Sequence, residues 1–131
     1  MRVDAAPRYA SALGWFSLAV TVGLVALMLH AGDPGNPDWW GYAAPFALWV
    51  CGPAIAPWLI ARRWPRRIVV RAMVGFLLVS SALAALAYWD AFFRSTSSTA
   101  ALVLVFVPLW QWLGLAAVAV VALVLASRTS R

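Results

Sequence analysis

Four long apolar runs, at roughly 10–30, 40–61, 68–89 and 98–126, decide what this chain can fold into. Each reaches the ~20 residues that a helix needs to cross about 30 Å of hydrocarbon. In lipid, every backbone N–H and C=O must find its partner inside the protein, which a helix achieves on its own. The expected fold is therefore all-α: a polytopic integral membrane protein with four transmembrane helices in an antiparallel bundle. A single domain, residues 1–131, accommodates all four. The first run is too long for a signal-peptide core, and "MLHAGD" offers no small-x-small cleavage site, so a retained helix is expected.

Composition agrees with that reading. Of the residues, 65% are apolar and 11% charged, against roughly half and about a quarter in soluble domains. All ten basic residues are Arg and all four acids are Asp. Arginine and alanine have GC-rich codons, lysine and asparagine AT-rich ones, and this bias points to a high-GC bacterial genome. The bacterial inner (cytoplasmic) membrane is the expected location.

Topology follows from the arginines. Arg2 and Arg8 precede the first run, Arg62, Arg63, Arg66, Arg67 and Arg71 crowd the second connection, and Arg128 and Arg131 end the chain. Placing these segments in the cytoplasm puts nine of ten Arg inside and leaves Arg94 outside, as the positive-inside rule requires. Both termini are then cytoplasmic. The net charge of +6 belongs to these flanks rather than to a basic face on a soluble fold, so no nucleic acid is expected. Arg62, Arg63, Arg66 and Arg67 are the expected contacts to anionic lipid headgroups.

The connections differ in character. "HAGDPGNPDWWG" is rich in Pro and Gly and exposes Asp33 and Asp38; "ARRWPRR" stops at Pro65; "DAFFRSTSST" ends in Ser97, Ser98 and Thr99, each able to cap the fourth helix. The chain is tryptophan-rich, with nine Trp. Trp39, Trp40, Tyr42, Tyr88, Trp89, Phe92 and Phe93 gather at the outer boundary, where amphipathic rings prefer headgroup depth. Trp39, Trp40, Trp89, Asp90 and Arg94 form a candidate outer-face interaction surface, with plain interfacial anchoring as the competing explanation.

Helices in lipid associate through small residues and occasional hydrogen bonds. Ala10, Gly14, Ser17 and Thr21 make such a stripe on the first helix, Gly52 and Ala56 on the second, and Gly75, Ser81 or Ala82, and Ala85 on the third. Pro45, Pro53 and Pro57 each remove a backbone donor, so the second helix is expected to kink or break, its freed carbonyls served by neighbouring Ser or Thr.

Groups able to do chemistry are scarce. His30 is the one histidine, Cys51 the one cysteine, and there is no Glu. A cysteine-based metal cluster and a CxxC pair are thereby excluded, and neither metal nor cofactor is expected. No charged residue falls at the centre of any run, which disfavours proton- or cation-coupled transport. The acidic residue that a small multidrug antiporter carries in its first helix is missing.

The sharpest polar signal is "VFVPLWQWLG" at 105–114. On a helix Trp110 and Trp112 point roughly 200° apart, so Gln111 between them cannot form one pocket with both. It shares a face with Pro108 and Gly114 and is expected to hydrogen-bond across the bundle to Ser17, Thr21, Ser80 or Ser81. The function expected is non-enzymatic: protein–protein contact in the membrane, as an accessory subunit or immunity-like factor, or as a homo-oligomer. The rival is an oligomeric passive channel or small transporter whose path is lined by Gln111 and the helix Ser and Thr residues.

Overall fold

In a computed structural model, residues 6–94 and 102–128 are described, with side chains from Ser11 onward. The order of elements is α1 (Ala6–Ala31), α2 (Pro37–Arg63), α3 (Arg67–Trp89) and α4 (Val103–Arg128), and no strand occurs among the described residues. One π-helical turn, Asp90–Arg94, carries α3 onward. Each helix is long and apolar enough to cross a membrane, with mean hydropathies of 2.1, 1.6, 2.1 and 2.2 in chain order.

The helix ends depart from the hydropathy boundaries where local capping takes over. α2 begins at Pro37 rather than near 40. The Asn36 side chain accepts the Asp38 N–H at 3.0 Å, and Pro37 takes the first helical position, where a missing N–H costs nothing. Asp38, Trp39 and Trp40 therefore belong to the helix rather than to a loop. At its other end the Trp64 N–H closes the last turn on the Ile60 carbonyl at 2.9 Å before Pro65 stops the helix. Ser97, Ser98 and Thr99 lie outside the described residues.

α2 and α3 pack against each other, and each also packs against both α1 and α4. The core sits along that central pair: Val50, Pro53 and Pro57 from α2, Val69, Met73 and Leu77 from α3, and Pro108 from α4 are fully buried. On α3 the buried positions Val69, Met73, Leu77, Ser80, Ala84 and Tyr88 recur every three or four residues, the period of one helix face. Large apolar side chains point outward on every helix; Tyr42 is 80% exposed and Trp110 71%. A surface of that kind suits hydrocarbon rather than water.

Two expectations are corrected here. The small-residue stripe of α3 is not a packing seam: a Cβ on Gly75 would meet nothing within 4 Å, and Ala82 and Ala85 are exposed. Because the third run is apolar all round, hydropathy cannot say which face turns inward. Of the kink or break expected of α2, the break does not occur: the helix continues through Pro45, Pro53 and Pro57. Other helices supply donors beside Pro53 and Pro57.

Candidate functional site

Two of the interhelical hydrogen bonds lie beside prolines of α2. Pro53 has no N–H to give the Trp49 carbonyl one turn earlier. The Trp112 indole on α4 supplies it, Nε1 donating to Trp49 O at 3.3 Å. The same ring lies against Gly52, where a Cβ would overlap it. Beside Pro57, the Ser17 hydroxyl of α1 donates to the Ala54 carbonyl of α2. The approach of α1 there is helped by Gly14, against which the Trp58 ring packs. The third bond joins α4 to α3: Gln111 Nε2 donates to the Ser80 carbonyl at 3.2 Å.

The five residues expected to make interhelical polar contacts thus behave differently from one another. Gln111 and Ser17 reach across, each to a backbone carbonyl. Thr21 does not, because its hydroxyl turns back to the Ser17 carbonyl of its own helix at 2.8 Å. That is the usual outlet for a helical Thr hydroxyl in an apolar setting. Ser80 likewise gives its hydroxyl to Leu77 O, at 3.5 Å. The Ser81 hydroxyl is buried with no partner, and so is the hydroxyl of Tyr88.

Tyr88 was assigned by sequence to the outer aromatic girdle; the side chain is only 6% exposed and lies inside the bundle. It lines a cleft of about 410 Å³ together with Ser80, Ser81 and Gln111. All four helices contribute: Val20, Leu24 and Leu27 from α1, Pro53 and Ala54 from α2. Trp89 and Phe93, stacked at 4.7 Å and both exposed, complete the lining at the π-helical end of α3. Among the described residues, no carboxylate, imidazole, thiol, amine or guanidinium lines this space. It offers hydroxyls, a carboxamide and apolar walls, which suits neutral hydrogen-bonding chemistry.

Two further concavities surround it. A cleft of about 700 Å³ between α1 and α2 is lined by Gly14, Ser17, Thr21, Trp58 and Arg62. A groove of about 680 Å³ runs between α3 and α4, with Gly75, Ala84 and Gly114 on its floor and Trp110 at its side. Trp110 and Trp112 part company, the first exposed beside the groove, the second turned inward onto α2.

The other candidate residues are more dispersed. Trp39 packs over Gly32 and meets Trp40 edge to face at 4.9 Å, while Trp40 Nε1 donates to Pro34 O at 3.1 Å. Those two brace the α1–α2 turn; Trp89 belongs to the other cleft. Asp90 and Arg94 form an exposed ion pair at 3.9 Å. At the arginine-rich end, Arg62 sits over the Trp58 ring and Arg63 over Trp64, each at 5.5 Å. Arg66 donates to the Ala126 carbonyl in the last turn of α4, while Arg67 is exposed. His30, Asp33, Asp38 and Asp90 are all exposed, and no group of three or more His, Cys, Asp or Glu positioned for a metal occurs among the described residues.

Sequence reasoning missed Trp112 and Tyr88. For Trp112 the signal existed: a proline in the second helix calls for a donor from a neighbour, and an indole N–H is one. The chain matches no known family model, no curated protein and no solved structure.

Proposed function

We propose that this is a multi-pass protein of a bacterial inner membrane that acts by protein–protein contact within the membrane plane, as an accessory subunit or an immunity-like factor, and performs no catalysis. In this reading the helices are antiparallel, both termini are cytoplasmic, and the exposed arginines near Arg67 meet anionic headgroups. The skewed arginine distribution supports the orientation. One contact supports the arrangement: Arg66, in the connection between α2 and α3, reaches Ala126 near the end of α4, so that connection and the end of α4 lie at the same end of the bundle.

The observation that carries the contact reading is the α3–α4 groove. Among larger apolar side chains such as Phe76 and Leu83, its lining holds the small Ala72, Gly75, Ala84, Ala87 and Gly114, together with the 71%-exposed Trp110. Small residues flanked by a large ring are what a transmembrane helix needs for close approach, since lipid supplies no hydrophobic drive for association. The occupant proposed is one transmembrane helix of a different membrane protein.

Evidence for the channel reading is weaker. Ser17 and Thr21 line the α1–α2 cleft, whereas Ser80, Ser81 and Gln111 line another, so the five do not share one path.

A photo-crosslinking amino acid at position 110, activated in native membranes, tests the proposal. The expected product is one discrete adduct with a second membrane protein, abolished by Gly75→Leu. Adducts to lipid alone remove the proposal, and adducts only to another copy of this chain replace the partner by self-association.

A further inference from the structure

We infer that the four-helix cleft around Ser81 and Tyr88 is a binding site for a neutral, lipid-soluble ligand bearing carbonyl acceptors, of which a prenylated quinone is the chemical class favoured. The cleft shares Ser80, Ala84 and Gln111 with the α3–α4 groove, but Ser81 and Tyr88 line the cleft and not the groove.

Unused donors make the first argument. The hydroxyls of Ser81 and Tyr88 are enclosed by protein and pair with nothing, although buried polar groups are ordinarily satisfied. Both residues line the same cleft, so an acceptor lodged there meets their hydroxyls after a small side-chain rotation. They lie seven apart on α3, two turns along one face. A hydroxyl can bond as donor or acceptor, and Ser80 and Gln111 add polar character beside them.

Charge makes the second argument. With no carboxylate, imidazole, amine or guanidinium among the described lining residues, a charged headgroup would lose its hydration without compensation. The ligand is therefore neutral. The third argument is access. Gly23 on α1 and Ala85 on α3 are exposed, small and part of the lining, and a Cβ on Gly23 would meet nothing within 4 Å. The cleft is thus unobstructed between α1 and α3 on the side facing hydrocarbon, and its ligand arrives from the bilayer.

Shape makes the last argument. The volume, about 410 Å³, lies within the range of small-molecule pockets. The stacked Trp89–Phe93 pair offers exposed aromatic surface to a flat ring, and apolar side chains of Val20, Leu24 and Leu27 offer a wall to an isoprenoid chain. Ester carbonyls of an acyl lipid share the acceptor chemistry without the flat ring, so the two sources are separable.

The experiment uses the full chain in nanodiscs of ether-linked phosphatidylcholine, which carries no ester carbonyl. A short-chain prenylated benzoquinone is titrated in, and tryptophan quenching is followed. Saturable quenching is expected, weakened on the order of five- to tenfold by Tyr88→Phe and by Ser81→Ala, as the loss of one hydrogen bond implies. Trp89→Phe should remove part of the quenching amplitude. Circular dichroism and size exclusion confirm that each variant folds. Dioleoylglycerol is then added as competitor: full displacement assigns the site to acyl-lipid carbonyls and overturns the quinone, whereas persistence of the quinone signal supports it. Quenching that never saturates, or that ignores both hydroxyl substitutions, overturns the site itself.

Discussion

Trp112 donates its indole N–H to the carbonyl of Trp49, the residue one helical turn before Pro53, at 3.3 Å. A proline inside α2 and a tryptophan inside α4 are therefore two halves of one device. The proline withholds a donor, and the tryptophan supplies it from the neighbouring helix.

Removing that donor gives the first prediction. Trp112→Phe keeps most of the ring and loses the hydrogen bond, and should destabilise the bundle by about 0.6 kcal/mol, the average for interhelical bonds in a membrane, and by no more than about 1.7 kcal/mol. In a Pro53→Ala background the Trp49 carbonyl regains an intrahelical donor, so the same change should cost less. Unfolding in mixed micelles, run as a double-mutant cycle, reads the difference. Additive costs would show that the two residues are not coupled.

The glycines give a second prediction with an internal control. A Cβ on Gly52 overlaps the Trp112 ring and one on Gly14 crowds Trp58, whereas Gly23 and Gly75 have open space. Gly52→Ala and Gly14→Ala should each cost about 1–3 kcal/mol by overpacking. Gly75→Ala should be neutral or stabilising by up to about 1 kcal/mol, because glycine is a poor helix former. Thermal melts in detergent separate the two classes.

These contrasts also show what the sequence could tell. The four spans were legible because runs this long and apolar have one outcome in lipid. Helix ends were less so: Asn36 and Pro37 draw three more residues into α2 than hydropathy indicates. Facing was hardest. α3 is apolar all round, so a stripe of Gly75, Ala82 and Ala85 looks like a seam, while the packed face is Met73, Leu77, Ser80 and Tyr88. The acceptors of Gln111 and Ser17 are backbone carbonyls, and no side-chain pattern displays those.

Ser17 and Thr21 provide the third prediction. They sit one turn apart, but Ser17 bonds α2 and Thr21 bonds its own helix. Ser17→Ala should lower stability by about 0.6–1.7 kcal/mol. Thr21→Val, which keeps the shape and loses only a local bond, should change it by under about 0.5 kcal/mol. Equal losses in the same unfolding assay would mean that Ser17 adds nothing between the helices.

Arg66 yields the last prediction, because it is engaged where its neighbours are not. Arg66 is exposed like Arg67 and Arg71, yet its guanidinium bonds the Ala126 carbonyl in the final turn of α4. The last turn of a helix carries the negative end of its dipole, so a cation there is stabilising. Arg66→Ala should loosen the last turn of α4 by about 0.3–1 kcal/mol, seen as faster amide exchange in peptides covering 122–128. Arg67→Ala should leave that exchange unchanged and instead weaken the preference for anionic over zwitterionic lipid around the embedded protein, by about 1 kcal/mol at low salt. Two variants of adjacent arginines, read by exchange and by lipid preference in mixed-lipid nanodiscs, should therefore give opposite patterns. If both reduce only lipid affinity, Arg66 is a headgroup residue like its neighbour and does not cap α4.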